Sequence, residues 1–553
     1  MEVAIEKSAM RKVYMRLLPF AMLSYILAYI DRINVSFAGL TMRDDLGLSA
    51  TDYGFALGTF FLGYFIFEVP SNVVMEKVGA RIWIARIMIT WGIFAGLMAF
   101  VFDVTSFAVV RFLLGVAEAG FFPGMLLYFT YWFPRKHHAR IVSSFLAGLP
   151  IAVAVGAPIS AYLLSLDGMF GLKGWQIMYI AEAIPTIFIG LLTLIVLTDR
   201  PEQAKFLNAE EKAWLTARLN TERQVTGEPV THNMWRALRD PKVLMLTLMY
   251  LAITLVSLAM LYYQTVYSPP VTAWLNTIIP GIHKDLAKML IVLIPYVIGL
   301  VGMLIWSRVA DKDLWNAMIN GKVLLMAINY FGIVTASLGL LYFIPQIIKA
   351  SGGGPAVMSA ILTPIANLFG SRGPVAITEN LAAVLLTMIP YTFGGIAMVT
   401  WGRVSDRMNE RRWNLLGACV LAAAGLVFAG YSVTPAGKAL FGAPGLLIGM
   451  SLATMGFYGS KGPFFAMPAM FLRGTALAGA FAWINSIGNL GGTVGPYYVG
   501  YMKDQTGDFS GGLYGLALLC LISAIVCALF LHIPDPEKTA AEIAEDKAGR
   551  QAA

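Results

Sequence analysis

Apolar stretches of about 20 residues, the length a helix needs to cross about 30 Å of hydrocarbon, recur along this chain from Leu17 to His532. Apolar residues make up 58% of the chain and charged residues 13%, against about 45–50% and about 25% in soluble domains. The mean hydropathy of +0.70 agrees. A string of soluble domains is excluded. An all-α polytopic membrane protein, with the lipid bilayer as its surroundings, is the class that fits.

Spans are expected near 17–40, 53–75, 82–102, 105–128, 141–166, 176–198, 244–267, 287–309, 322–349, 380–402, 412–433, 442–470, 476–501 and 512–532, fourteen in all. The net charge of +8 is not spread evenly. Basic residues gather in alternate short loops, at Lys7, Arg11, Lys12 and Arg16, at Lys77, Arg81 and Arg86, at Arg135, Lys136 and Arg140, and at Arg403, Arg407, Arg411 and Arg412. That alternation is the positive-inside pattern and places the N-terminus in the cytoplasm. An even number of spans returns the tail after His532 to the same side. No basic stripe interleaved with aromatics suggests a nucleic-acid partner, and no cleavable signal precedes the first span.

The polar stretch Asp199 to Asp240 separates two groups of spans and contains Leu207-Asn208-Ala209-Glu210-Glu211-Lys212, an Asn-capped amphipathic helix. Cys419, Cys520 and Cys527 fall inside spans and read as small core hydrophobes. A repeat also emerges. At a shift of 80, Lys242, Val243, Leu244, Tyr250, Ile253, Ser257, Leu258, Leu261 and Tyr262 match residues of 322–342. At a shift of 95, Ile294, Pro295, Tyr296, Gly299, Met303, Trp306, Arg308, Val309 and Asp311 match residues of 389–406. The repeat reads as a tandem duplication of one helical hairpin, the second copy with a longer Gly/Pro/Ser-rich loop from Ser351 to Pro374; chance likeness of two apolar hairpins is the alternative. A duplicated hairpin leaves and re-enters on the same side, so it preserves topology.

Charge inside hydrocarbon costs at least about 2.5–3.5 kcal/mol per residue, so ionisable residues within spans are functional candidates. They are Asp31, Arg32, Glu68, Arg111, Glu118, Glu182 and Lys461. With the first span running outward and the fourth inward, Asp31–Arg32 and Arg111 lie at similar depth, about 10 Å below the outer surface. Arg111 and Glu118 are two turns apart and share a helix face. Two acids and two guanidiniums are thus expected to converge on one cavity. A guanidinium fork holds a carboxylate at two points and stays charged. A buried carboxylate balanced between desolvation and a neighbouring arginine can take up or release a proton as its surroundings change. Mutual salt bridges that merely satisfy one another remain an alternative, and Glu68 and Glu182 lean towards that structural use. Lys461 either binds a second carboxylate or pairs with an acid and snorkels.

Several stretches carry a more specific likeness. Tyr29-Ile30-Asp31-Arg32-Ile33-Asn34-Val35, Phe65-Ile66-Phe67-Glu68-Val69-Pro70-Ser71-Asn72, Arg111 to Gly124, Phe343-Ile344-Pro345-Gln346-Ile347-Ile348-Lys349 and Ile484 to Gly492 resemble the anion:cation symporter family of the major facilitator superfamily. The likeness covers nearly the whole chain except about 242–321. It implies two six-helix bundles, residues 1–200 and 322–533. A cytoplasmic linker with its amphipathic helix (201–243) and the extra hairpin (244–321) lie between them, and a cytoplasmic tail (534–553) follows. The hairpin raises the usual twelve spans to fourteen. The resemblance implies that Arg32 and Arg111 contact a substrate carboxylate, with Tyr29 nearby, and that Asp31 and Glu118 couple protons. Asn485 is a candidate hydrogen-bonding partner for the substrate from the C-terminal half, and Lys461, at a place where the family has no typical lysine, is a further candidate contact. Two loops match the superfamily's Gly/Asp/Arg gating loop, Gly402-Arg403-Val404-Ser405-Asp406-Arg407 closely and Glu76-Lys77-Val78-Gly79-Ala80-Arg81 more loosely; topogenic basic loops are the plainer reading of both.

The expected function is proton-coupled symport of a small organic carboxylate by alternating access, in a multi-pass protein of the bacterial inner membrane acting as a monomer. An anion exchanger, a sodium-coupled carrier and a transporter-like sensor of an organic acid stay open. No enzyme, cofactor or metal is expected: there is no phosphate-cradling Gly-Lys-Ser/Thr motif, no His/Glu metal spacing and no histidine in the middle of a span. The second hairpin copy keeps the family-like Pro345-Gln346 and should build the bundle. Deletion of about 242–321 is therefore expected to leave a protein that still inserts with twelve spans, checked by membrane fractionation and topology reporters. Complete loss of insertion would remove the duplication reading.

Overall fold

The computed structural model describes residues 2–134, 137, 141, 144–146, 148–226, 316, 319–368, 375–408, 410–471 and 474–531, and all regular structure among them is helical. The chain divides into two units, Met1–Pro295 and Tyr296–Ala553. In the first, the main helices are α1 (Glu2–Ala38), α2 (Ala50–Val78), α3 (Ala80–Leu97), α4 (Val104–Glu118), α5 (Phe121–Thr130), α6 (Gly148–Leu164), α7 (Gly174–Val196) and α8 (Ala209–Thr226). In the second they are α9 (Gly321–Ser351), α10 (Gly354–Leu368), α11 (Glu379–Leu386), α12 (Met388–Arg407), α13 (Arg412–Ser432), α14 (Gly442–Gly459), α15 (Lys461–Ala466), α16 (Gly474–Thr506) and α17 (Ser510–Phe530).

Twelve of the fourteen expected spans coincide with these helices, α4–α5, α11–α12 and α14–α15 each making one span in two pieces. The pair near 244–267 and 287–309 lies outside the described residues, and with it nearly all of the extra hairpin. Nine of the described helical stretches are long and apolar enough to cross a membrane by length and composition. One expectation is corrected. The stretch Ser351–Pro374 read as a loop, but α10 occupies most of it. Val357, Met358, Ile361, Leu362 and Ile365 recur at helical spacing, and this apolar face outweighs the flanking glycines and Pro364.

The helices are patterned inside out relative to a soluble bundle. Along α7, Ile184, Phe188, Leu191 and Ile195 are exposed, whereas Glu182, Thr186 and Thr193 are buried. Where lipid replaces water, apolar burial no longer drives association, and close approach of small residues takes its place. A Cβ on Gly63 would overlap the Phe112 carbonyl, and one on Gly115 the Phe60 carbonyl, so α2 and α4 cross backbone to backbone. In the second unit glycines again let helices meet closely: a Cβ on Gly488 would strike the Tyr330 ring, and Gly491 and Gly495 bear on Thr335 of α9. All three cysteines are buried.

At the end of the first unit where α1 begins, residues 198–211 form a strap across several helices. Tyr128 Oη donates to the Thr198 carbonyl (2.8 Å). The Arg81 backbone N–H donates to Asp199 Oδ1 (2.8 Å), an anionic cap on the start of α3. Gly79 enters that helix at φ +100°, a conformation that side chains rarely adopt, and a Cβ there would press on the same carboxylate. Arg200 lies 3.7 Å over the Tyr131 ring, and Phe206 stacks on Trp132 at 5.7 Å. Then α8 starts with the expected cap: Asn208 Oδ1 accepts from Glu211 N (2.8 Å) and Glu211 Oε2 from Asn208 N (2.9 Å). Glu211 also accepts from Ser8 Oγ (2.6 Å) and pairs with Lys12 Nζ (2.7 Å), tying α8 to α1.

Burial works to raise the Glu211 carboxyl, but the donors from Lys12, Ser8 and Asn208 outweigh it and hold the group below its ordinary value. A depressed carboxylate stabilises the folded state above its unfolded pKa and loses that contribution as pH falls through the folded value. Glu211→Ala removes about 1.5–3 kcal/mol of charge-assisted bonding. Backbone amide exchange over 208–221 is therefore expected to quicken by about tenfold or more. The wild-type protein should lose the same protection on acidification below the ordinary carboxylate range. Exchange unchanged in the variant would show that the strap is held elsewhere.

Candidate functional site

Asp31 and Arg32 are consecutive on α1 and so point about 100° apart, to different neighbours. Arg32 turns to α4 and forms an ion pair with Glu118. Its guanidinium also lies over three rings, Tyr29 at 5.2 Å, Phe60 at 5.3 Å and Tyr64 at 5.5 Å. Arg111, two turns before Glu118 on α4, sits 4.8 Å from the same Phe60 ring. Phe60 therefore stands against two guanidiniums at once, and the Gly63–Gly115 crossing of α2 and α4 is what brings it there. Glu118 feels the charge of both arginines.

The two arginines are not equivalent. The Arg32 side chain keeps 18% of its surface exposed, whereas Arg111 is wholly buried. Among the described residues, Arg111 Nε and Nη2 have no hydrogen-bond partner. A buried guanidinium without its acceptors costs several kcal/mol, and a packed hydrophobic side chain would be the cheaper occupant. Glu118 ends α4; Ala119 leaves the helix, and Gly120 takes a left-handed conformation (φ +87°) before α5 begins. The carboxylate sits at the negative end of its own helix, where the Arg32 pairing offsets the dipole.

Asp31 turns the other way, to α7, where Thr186 Oγ1 donates to Asp31 Oδ2 (2.7 Å) and Trp91 of α3 lies beside it. One turn on, Asn34 Nδ2 donates to Glu182 Oε2 (3.0 Å), and Ser160 Oγ of α6 donates to Glu182 Oε1 (2.6 Å). The expected convergence of four charges is thus modified. Arg32, Arg111 and Glu118 meet around Phe60, while Asp31 lines a second polar seam with Glu182. Glu68 lies close enough to act on Arg32.

The remaining expected residues are in the second unit or at the loops. Lys461 opens α15 with its Nζ 4.7 Å over the Tyr458 ring, and Asn485 is half-buried on α16. Gly79 and Arg81 are engaged by Asp199. At the matching loop, a Cβ on Gly462 would come within 3.3 Å of the Gly402 Cα, Arg407 ends α12, and the side chain of Asp406 lies outside the described residues. The polar links there run instead through Ser405, which donates to the Glu410 carbonyl (2.7 Å) and accepts from Arg411 Nη1 (2.9 Å). Phe60, Thr186, Ser160, Trp91 and Asp199 went unread in the sequence. Only Asn34 carried a signal, three residues after Asp31 within the Tyr29–Val35 stretch.

The model of the Major Facilitator Superfamily matches residues 21–376 and 350–551. A putative tartrate transporter of Agrobacterium vitis is 40% identical over 522 residues, 94% of this chain and 91% of that protein. A quinolone resistance transporter of Acinetobacter baumannii is 30% identical over 97% of each chain. Among solved structures, the partially occluded, inward-open xylose transporter XylE of E. coli superposes with a TM-score of 0.58 at 14% identity, over 94% of this chain and 98% of its own. The likeness in fold, the family match along the chain and relatives that are transporters rather than enzymes agree with the motif resemblance: this chain is a multi-pass membrane transporter that belongs to the Major Facilitator Superfamily.

Proposed function

We propose that the chain is a proton-coupled symporter of a small dicarboxylate of the tartrate kind, working by alternating access. The observation that carries this reading is Arg111, a buried guanidinium with two unpartnered N–H edges beside an Arg32–Glu118 pair on a shared ring. A carboxylate supplies what Arg111 lacks, and binding it bidentately is what the guanidinium geometry favours. A substrate carboxylate competing for Arg32 releases Glu118, which then takes a proton, since a lone carboxylate is unstable there. Anion and proton thus enter together, and charge leaves the site only when both do. The A. vitis relative's name supports the substrate class.

Asp31 is the second proposed proton carrier, and Tyr29 walls the site through its contact with Arg32. Asn485 and Lys461 are proposed as substrate contacts. The loops at Gly79–Arg81 and at Gly402, Asp406 and Arg407 are proposed to brace one state of the cycle, and both termini are proposed to be cytoplasmic. The proposed domain organisation keeps 322–533 as the C-terminal bundle, with 244–321 as an added hairpin.

Uptake of labelled L-tartrate into proteoliposomes, with and without an inward proton gradient, tests the reading. Losing one member of a buried charge interaction costs about 2–5 kcal/mol. Arg111→Ala is thus expected to lower uptake at least about 30-fold, and Arg111→Lys to restore little because an ammonium lacks the fork. Full uptake by Arg111→Ala would overturn the assignment. Wild-type uptake should rise as external pH falls. Glu118→Gln should lose gradient stimulation while still exchanging internal for external tartrate. Gradient-independent wild-type uptake with intact exchange would turn the reading to an anion exchanger.

A further inference from the structure

The symport reading leaves Glu182 without a task. Its carboxyl is buried, 5% exposed, and joins three helices, accepting from Asn34 of α1 and Ser160 of α6 while standing on α7. Hydrogen bonding alone does not account for an acid there. An amide would satisfy Ser160 equally, and Asn34 Oδ1 has no partner among the described residues, so a flipped Asn34 could serve a glutamine. Carboxyl groups within hydrocarbon carry a cost that glutamine does not.

What glutamine would lack is charge, and charge matters because of the neighbour. Asp31 and Asn34 are one turn apart on α1, as Thr186 and Glu182 are on α7. The Asp31–Thr186 and Asn34–Glu182 bonds are therefore adjacent rungs, with about 5–6 Å between successive side chains on each helix. Glu182 acts electrostatically on Asp31 across that gap. Two like charges in one low-dielectric seam repel strongly and titrate as a coupled pair. Among the described residues Asp31 Oδ1 accepts no close hydrogen bond, and the Trp91 indole is the donor beside the carboxyl, which leaves that oxygen able to take a proton. The other groups that face the seam are Trp91 of α3 and Glu118 of α4, both acting on Asp31, and Tyr179 on α7 itself, which also feels Arg111.

We infer that Glu182 is a positioning residue of the coupling device. It holds the Asp31-bearing turn of α1 against α6 and α7, and its charge sets the proton demand of Asp31 without touching the transported anion. The inference rests on the symport reading and deepens it. In each turnover a proton enters and leaves at Asp31, while Glu182 determines how readily.

The test is the pH profile of L-tartrate uptake in proteoliposomes for Glu182→Gln, beside Asp31→Asn. A nearby carboxylate favours the protonated form of its neighbour. Its loss should move the half-activation point of uptake by about one pH unit to the acid side, the equivalent of about tenfold more protons. The tartrate KM at saturating proton concentration should change by less than about twofold. Glu182→Asp, which keeps the acid, should keep the wild-type pH profile even where turnover slows. It also carries the test if Glu182→Gln fails to reach the membrane: a displaced profile in Glu182→Asp would then overturn the inference. A wild-type profile in Glu182→Gln, with Asp31→Asn abolishing proton activation, overturns the inference alone. Asp31→Asn with an unaltered profile overturns the symport reading itself.

Discussion

A buried guanidinium that finds no acceptor for two of its N–H edges among the described residues is the constraint around which the first unit is arranged. Arg111 is tolerated because Phe60 offers its ring face and Glu118 lies on the same helix edge. Arg32 shares that ring but solves the same problem differently, with an ion pair, three aromatic faces and partial exposure. Arg32 has a carboxylate partner, whereas among the described residues Arg111 Nε and Nη2 have none. That asymmetry gives an incoming anion something to complete, and it gives Glu118 two places where its charge is welcome.

The glycine crossing of α2 and α4 is subordinate to this arrangement yet indispensable to it. Any side chain at Gly63 or Gly115 would push the helices apart and carry Phe60 away from both guanidiniums. The break at Gly120 serves the same carboxylate from the other side, ending α4 so that Glu118 occupies a helix terminus rather than a fixed mid-helix position. Packing by the smallest residue and interruption by the same residue are two ways of placing one acid.

Much of this could be read without coordinates, and the reasons divide cleanly. The spans were legible because lipid demands uninterrupted apolar runs, and the Arg111–Glu118 face because seven residues make two turns. The shared depth of Arg32 and Arg111 followed from alternating helix direction. What stayed hidden was carried by neutral residues. Phe60, Thr186 and Ser160 are ordinary occupants of a span, and nothing in their spacing announces that a charge rests on them. Asp31 was read as facing the arginines, but one residue of rotation on α1 sends it to α7 instead. Helix α10 was masked by flanking glycines, and Asp199 acquires meaning only once the chain returns beneath α3.

The strap has a consequence for how such a chain is made. Ser8 and Glu211 meet across 203 residues of sequence, so the start of α1 waits for its partner until helices α1 to α7 have all left the ribosome. Up to that moment each new helix is free to partition into lipid and find its neighbours. With residues 198–211 in place the half is laced shut by its own trailing segment, before any helix of the following half has been synthesised and could compete for its surfaces.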